Sequence, residues 1–332
     1  MPSYVLRRLL HLIPVLFAVT LISFLLMYLS PGDPVTALLE AGGSVPDPAV
    51  VAQKRHELGL DQPVYVQYLQ WVGGLFQGNL GTSIGSGRPV VTELLARMPA
   101  TLFLAVVSMA LALAVSVPLG CLCAQHRDSA FDRIVQLLTF AGAAVPGFLM
   151  ALLLVFIFAL CLHWLPSIGS LRGAGWVLPV LTLVLCESAV LIRQVRTLVL
   201  QELGQDYVRA ARLRGISRHA VLVRSVLKAV APTIVVLAAM SFAQLLGGSA
   251  IIETIFNWPG IGAYAVQAVF TRDYPVVQGY VLLMAIFFVV VNLAADVVQT
   301  RLDPRALAGL GLERTDGAWR RRRSADTREV SA

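Results

Sequence analysis

Charge is scarce in this chain. Only 14% of its 332 residues are Asp, Glu, Lys or Arg, against a usual share of about 25%. Hydrophobic residues make up 57%. That balance excludes an ordinary soluble domain, whose surface needs many more charges. Cysteine is also scarce: Cys121, Cys123, Cys161 and Cys186 all fall inside apolar runs. A disulfide framework would place them in polar loops, so they read as small buried apolar residues. No Gly-x-x-x-x-Gly-Lys-Ser/Thr phosphate loop occurs. No cluster of His, Cys and acids marks a catalytic centre, so no catalytic residue and no metal ligand is assigned. The formal charge of +7 does not point to nucleic acid. The basic residues sit in gaps between apolar runs, where they act as topology signals.

Those runs are what the chain has in abundance. About 20 apolar residues of helix cross a bilayer core. The first run, 9–29, follows Arg7 and Arg8 and ends at the helix stop Ser30-Pro31-Gly32-Asp33-Pro34. It is too long for a signal-peptide core and lacks a small-x-small cleavage site, so it reads as an uncleaved span. Further runs lie between Arg97 and Arg127, from Ile134 to near His163, between Arg172 and Arg193, from Ala229 to Ile252, and from Tyr274 to Ala295. Six transmembrane helices are therefore expected, in an all-α membrane protein. Pro118 and Gly120 are expected bend points in the second run, as are Gly142 and Pro146-Gly147 in the third.

Orientation follows from the basic residues. With the N-terminus in the cytoplasm, 20 Lys/Arg fall inside and 6 outside. The opposite orientation reverses the positive-inside bias. Both ends and segment 193–228 are thus expected in the cytoplasm. Four regions result: an N-terminus with the first span (1–30), an extracytoplasmic segment (31–97), a five-helix core (98–305) and a basic tail (306–332), expected to be disordered. In the outer segment, Asp47 should cap a short helix stopped by Gly59. An aromatic amphipathic stretch over 62–76 and a glycine-rich loop over 78–87 follow. In the tail, Arg320 to Arg323 could attract anionic lipid.

One polar stretch between two spans requires a purpose. Segment 193–228 carries eight Lys/Arg and two acids, Glu202 and Asp206. Asp206 is expected to cap one helix, Gly215 to stop it, and Ser217 to cap a second helix reaching about Lys228. Ala210, Ala211 and Gly215 are small enough for close approach by a partner. Arg209, Arg212, Arg214 and Arg218 offer hydrogen-bond forks to acids or lipid phosphates. Within the spans, Glu187 is a charge that needs an explanation, such as a pore position or pairing with Arg193. Gln244, Gly247 and Gly248 are pore candidates because small residues leave room, though close helix packing would use them equally. His163 beside Trp164 reads as an interfacial residue rather than a ligand. Asp296, four residues after Asn292, is read as paired structurally.

The sequence Arg209-Ala210-Ala211-x-x-x-Gly215 resembles the "EAA" coupling loop of permease subunits of ATP-binding-cassette importers, in the dipeptide, oligopeptide and nickel group. Arg209 stands where that motif has its Glu, and Ala231-Pro232 where it has Leu-Pro. Tyr4-Val5-Leu6-Arg7-Arg8, Pro31-Gly32-Asp33-Pro34, Leu58 to Pro63 and Asn79-Leu80-Gly81 are similar to the same group. So are Glu253 to Gly262, Arg272-Asp273-Tyr274-Pro275 and Leu302-Asp303-Pro304-Arg305. The resemblance implies a type I importer permease in the bacterial inner membrane. It would pair with a similar permease, two ATPase subunits and an extracytoplasmic binding protein. ATP and Mg would bind the ATPases, with no cofactor in this subunit. The coupling helix would seat in an ATPase cleft and be rocked as the ATPases close, switching the pore between its outward-open and inward-open states. Ala211 to Gly215, His126-Arg127-Asp128 and Trp164-Leu165-Pro166 look nickel-type, whereas 273–279 looks as close to dipeptide permeases. Nickel or a metal chelate is the first expectation for the cargo, and a di- or oligopeptide the alternative. A channel or secondary transporter working without ATP is the competing class. It predicts inverted repeats or a filter motif, and neither is found.

Overall fold

The computed structural model of the chain describes residues 2–29, 32–41 and 47–302. The described residues are almost wholly helical, with no strand beyond one isolated bridge between Thr82 and Pro89. The first apolar run forms α1 (Pro2–Leu29). The Ser30-Pro31 part of the expected stop, the Arg7-Arg8 side chains and the tail from residue 303 lie outside the described residues.

Three short helices build the outer segment: α2 (Pro34–Ala41), α3 (Pro48–Glu57) and α4 (Val64–Leu75). The α3 start is as the sequence predicts. Asp47 accepts a hydrogen bond from the Ala49 amide at 2.9 Å, and Gly59 leaves the helix with φ +66°. The aromatic stretch does not simply lie on the surface. Tyr68 is buried edge-on against Phe24 of α1, and its hydroxyl meets Thr20 at 3.1 Å.

Helix α5 (Val90–Gln125) starts before Arg97 and runs through Pro99 and Pro118. The next run begins at α6 (Ala130–Ala144), earlier than Ile134, because Ser129 caps it on the Asp132 amide. Between α6 and α7 (Gly147–Leu154, continuing as a π-helical stretch Val155–Cys161) the chain turns by 102°. Val145 is extended there, φ −82° and ψ 123°, as expected for a residue before proline. The third apolar run is thus a sharply broken span.

Helix α8 (Val177–Leu203) is the central one: 56% of its most apolar window is buried, against 6% for α13 (Tyr274–Leu302). It packs along α5, and Gly120 permits the closest approach. A Cβ there would lie 2.8 Å from the Val195 side chain and 3.0 Å from the Ile192 carbonyl. The main core joins α5, α7, α8 and α11 (Leu227–Ile255) through Leu104, Ala112, Ala151, Leu178, Leu191 and Leu246. Two short helices, α9 (Asp206–Leu213) and α10 (Arg218–Val221), follow α8, and α12 (Ile261–Phe270) lies between α11 and α13. Four helical segments are long and apolar enough to cross a membrane, and the bent α6–α7 pair adds a fifth. Together with α1, these account for the six apolar runs.

Candidate functional site

The α9 region differs in detail from the sequence expectation. Asp206 is not the cap. Gln205 holds that position without a side-chain bond, and the Asp206 carboxylate is fully exposed, 3.8 Å from Arg209. The stop is where expected: Arg214 ends α9 and Gly215 follows at φ +78°, with open space where a Cβ would stand. Ser217 caps α10, accepting from the Ala220 amide at 3.3 Å. However, α10 does not end near Lys228. It passes through a π-helical stretch, Leu222–Val226, directly into α11, so Pro232 lies within a continuing helix.

The two alanines part company. Ala210 is exposed, whereas Ala211 is buried. Ala211 joins Val208, Val195, Val199, Val221 and Val226 in a small core that fastens α9 to the end of α8. Residues 208 and 211 sit one helical turn apart, so both face inward. Ala211 is therefore turned toward α8 rather than outward. What is presented outward is Arg209, Ala210, Arg212, Arg214, Gly215 and Ser217. Tyr207 anchors the start of α9 by donating to Glu202 at 2.7 Å. Burial, reinforced by that carboxylate, pushes its phenol up to about 12.

The pore candidates lie on α11 and α8. Gln244, Gly247 and Gly248 are exposed on one face of α11, and a Cβ on either glycine would meet nothing within 4 Å. Close packing within this chain therefore does not explain them. Glu187 is half-buried and faces the Ser241 hydroxyl of α11. It does not pair with Arg193, whose Nε donates to the Ala189 carbonyl at 3.2 Å. Next to them a groove of about 490 Å³ between α8 and α11 is lined by Arg193, Gln194, Thr197, Gln201 and Thr233. His163 is exposed with φ +54°, beside an exposed Trp164. Among the described residues no group of three His, Cys, Asp or Glu could hold a metal ion.

Sequence reasoning missed the most enclosed carboxylate among the described residues. Glu253, near the end of α11, is fully buried. Its Oε1 accepts from Thr101 of α5 at 2.8 Å and its Oε2 from the Ala263 amide at 2.9 Å. It caps the start of α12 from another helix, where the amides carry partial positive charge. Thr101 in turn accepts from the Ile261 amide at 2.9 Å, and Trp258 donates to the Ala100 carbonyl at 3.1 Å. The signal was present in Glu253 to Gly262, a carboxylate followed by a Pro-Gly turn into a second helix. Asp273 plays a similar part further out. It accepts from Ser83 at 2.5 Å and from the Ile84 and Gly85 amides at 3.1 Å, pinning the glycine-rich loop.

Comparison with known proteins places this helical frame. Residues 116–307 match the family described as the binding-protein-dependent transport system inner membrane component, and residues 1–105 match its N-terminal family. The chain belongs to this family. It is a permease subunit of an ABC importer, an inner-membrane protein without an ATPase site of its own. Membership implies ATPase and substrate-binding partners. The glutathione transport system permease protein GsiC of Salmonella typhi is 39% identical over 304 residues, covering 92% of this chain and 98% of its own. The Escherichia coli protein of the same name is 38% identical over the same span and coverage. A structure of the MetNI methionine ABC transporter in an inward-facing conformation covers 64% of this chain and 97% of its own. Its TM-score is 0.54 at 17% identity, and that likeness extends to the fold.

Proposed function

We propose that this permease forms half of the pathway through which an ATP-driven importer carries short peptides, with glutathione-like tripeptides as the leading class. The observation that carries the reading is the 39% identity, over nearly the full length of both chains, to permeases named for glutathione transport. Glutathione is a tripeptide, so the preference passes from nickel, the first expectation of the sequence, to the peptide alternative. A second permease supplies the other half of the pathway, two ATPases hydrolyse ATP, and a binding protein delivers the cargo outside. The basic segments at 126–133 and 193–228 support a cytoplasmic side for both, and so for both chain ends.

In this reading α9 is the contact with an ATPase. Its inward residues, Val208 and Ala211, tie it to α8, and its outward residues, Arg209, Ala210, Arg212 and Gly215, meet the partner. Because α10 runs unbroken into α11, a displacement of the loop is transmitted along that helix to Gln244, Gly247 and Gly248. Those residues and Glu187 line the pathway. A rigid helix is a suitable lever, since packed elements move as units rather than deforming continuously. The reading is tested by reconstituting the permease with its partner subunits and binding protein in proteoliposomes. ATP-dependent uptake of labelled glutathione or dipeptide, absent without the binding protein, is expected. Uptake of nickel with no peptide uptake would overturn the cargo assignment.

A further inference from the structure

The groove of about 490 Å³ between α8 and α11 holds two polar groups that the fold leaves without full partners. Its size is within the range of about 300–1,000 Å³ typical of ligand pockets. Arg193 is the one charged residue that lines it. The Arg193 Nε donates to the Ala189 carbonyl, and among the described residues no hydrogen bond or ion pair engages its two Nη groups. Next to it the Gln194 Oε1 is buried without a hydrogen-bond partner. A buried polar atom in that state requires an explanation, and a binding site supplies one. The groove also continues the face assigned above to the pathway. Gln194 lies seven residues, two helical turns, beyond Glu187 on one face of α8. On α11, Leu237 and Thr233 line the groove one and two turns before Ser241, which faces Glu187. Both steps lead toward the α9 end of the bundle.

A guanidinium edge beside a carbonyl acceptor complements one particular group. The last residue of a peptide carries a carboxylate and, on the same Cα, a backbone N–H. The carboxylate suits Arg193, whose two Nη groups donate in a fork, and the N–H suits the Gln194 carbonyl. A bare metal cation would be repelled by Arg193. Sulfate would leave the Gln194 carbonyl without a donor. We propose that this groove receives the C-terminal residue of a short peptide near the cytoplasmic end of the pathway, an inference that rests on the peptide reading above. Arg193 and Gln194 are then specificity-determining residues on the release side.

The assembled importer, without nucleotide or binding protein, is equilibrated in detergent with radiolabelled alanyl-alanine or with its C-terminal amide. Leaving out the binding protein removes that protein's own selection from the readout. The free acid is expected to bind roughly tenfold more tightly than the amide, the scale of one hydrogen bond to a charged group. Arg193→Gln should abolish that preference. Arg193→Lys keeps the charge and should restore part of it, which separates lost recognition from lost folding. Gln194→Leu should weaken acid and amide alike, by about fivefold, because both keep the N–H. Equal binding of acid and amide by an importer that transports peptide in vesicles overturns the inference and leaves the peptide reading standing. So does a preference that survives Arg193→Gln. Loss of the second permease from the Arg193→Gln complex would assign the groove to the interface between the two permeases, and overturns it as well. Nickel uptake with no peptide uptake removes the peptide reading and this inference with it.

Discussion

The continuous helix that α10 and α11 form begins and ends at a turn, and the two turns treat polar groups in opposite ways. At its far end, Glu253 and Thr101 are buried, bond to each other and accept from the Ala263 and Ile261 amides of α12, while the buried Trp258 indole donates to the Ala100 carbonyl. At its near end, Arg209, Arg212, Arg214 and Ser217 stand exposed around Gly215. A buried polar group left unpaired costs about 1–3 kcal/mol, so the far junction must be closed from within. The near junction carries no such constraint, and its polarity is available to something outside the chain. The contrast separates residues that hold the fold from residues that are open to partners, although both junctions are helix, turn, helix.

The largest effect on transport should come at the open end. Gly215→Asp forces an L side chain into a left-handed conformation, at about 1–2 kcal/mol, and puts a carboxylate among the arginines. Uptake in reconstituted vesicles should fall by about tenfold or more, the equivalent of about 1.4 kcal/mol in rate. The protein should still reach the membrane, and less ATPase should co-purify. Normal uptake would erase the distinction between the two junctions. At the closed end the loss should appear as stability. Glu253→Ala strands the Ala263 amide and the Thr101 hydroxyl and should cost about 3 kcal/mol in detergent unfolding. Glu253→Gln keeps one acceptor and should cost about 1 kcal/mol. If alanine is tolerated as well as glutamine, the closed junction is not held by this carboxylate.

A third position lies between the extremes. Asp132 at the start of α6 receives two hydrogen bonds from Arg196 of α8, both 2.7 Å, and is buried. Asp132→Asn leaves the guanidinium without its counter-charge and should cost about 2 kcal/mol, somewhat below the loss for a fully enclosed pair because Arg196 is partly exposed. A double-mutant cycle with Arg196→Gln measures the coupling. The smallest effect is expected in the outer segment, where His56 meets Asp61 at 2.7 Å in solvent. The hydrogen bond to Asp61 raises the His56 value above its ordinary 6.5, and the bond to His56 lowers that of Asp61 below 3.8. The histidine contribution is present below 6.5 and lost as pH rises through the raised value. The aspartate contribution is present above 3.8 and lost as pH falls through the lowered one. Their pairing therefore acts from about pH 4 to about pH 7. His56→Ala should flatten a slight stability maximum in that window and leave uptake unchanged.

The apolar runs carried the helical frame into view because length and hydropathy are local properties. The Asp47 and Ser217 caps and the Gly59 and Gly215 stops were legible for the same reason. Side-chain direction was not. Ala210 and Ala211 look equivalent in sequence, and only the packing of α9 on Val195 and Val199 of α8 separates them. Glu253 escaped notice because its partners, Thr101 and Ala263, are brought to it by tertiary structure. The 102° turn at Val145–Pro146 was foreseeable as a break, though its size depends on how α6 and α7 pack on α8.

The adjacent alanines give the most direct test. Cysteine is introduced at Ala210 or at Ala211, singly, and each importer is treated with a short thiol-to-amine cross-linker. The parent chain with its four native cysteines serves as the background. The Ala210→Cys protein is expected to cross-link to an ATPase subunit, and Ala211→Cys to stay at the background level because that position faces α8. Equal cross-linking at both positions, or none at Ala210 in an importer that still transports, would contradict the outward face of α9 as the site of contact.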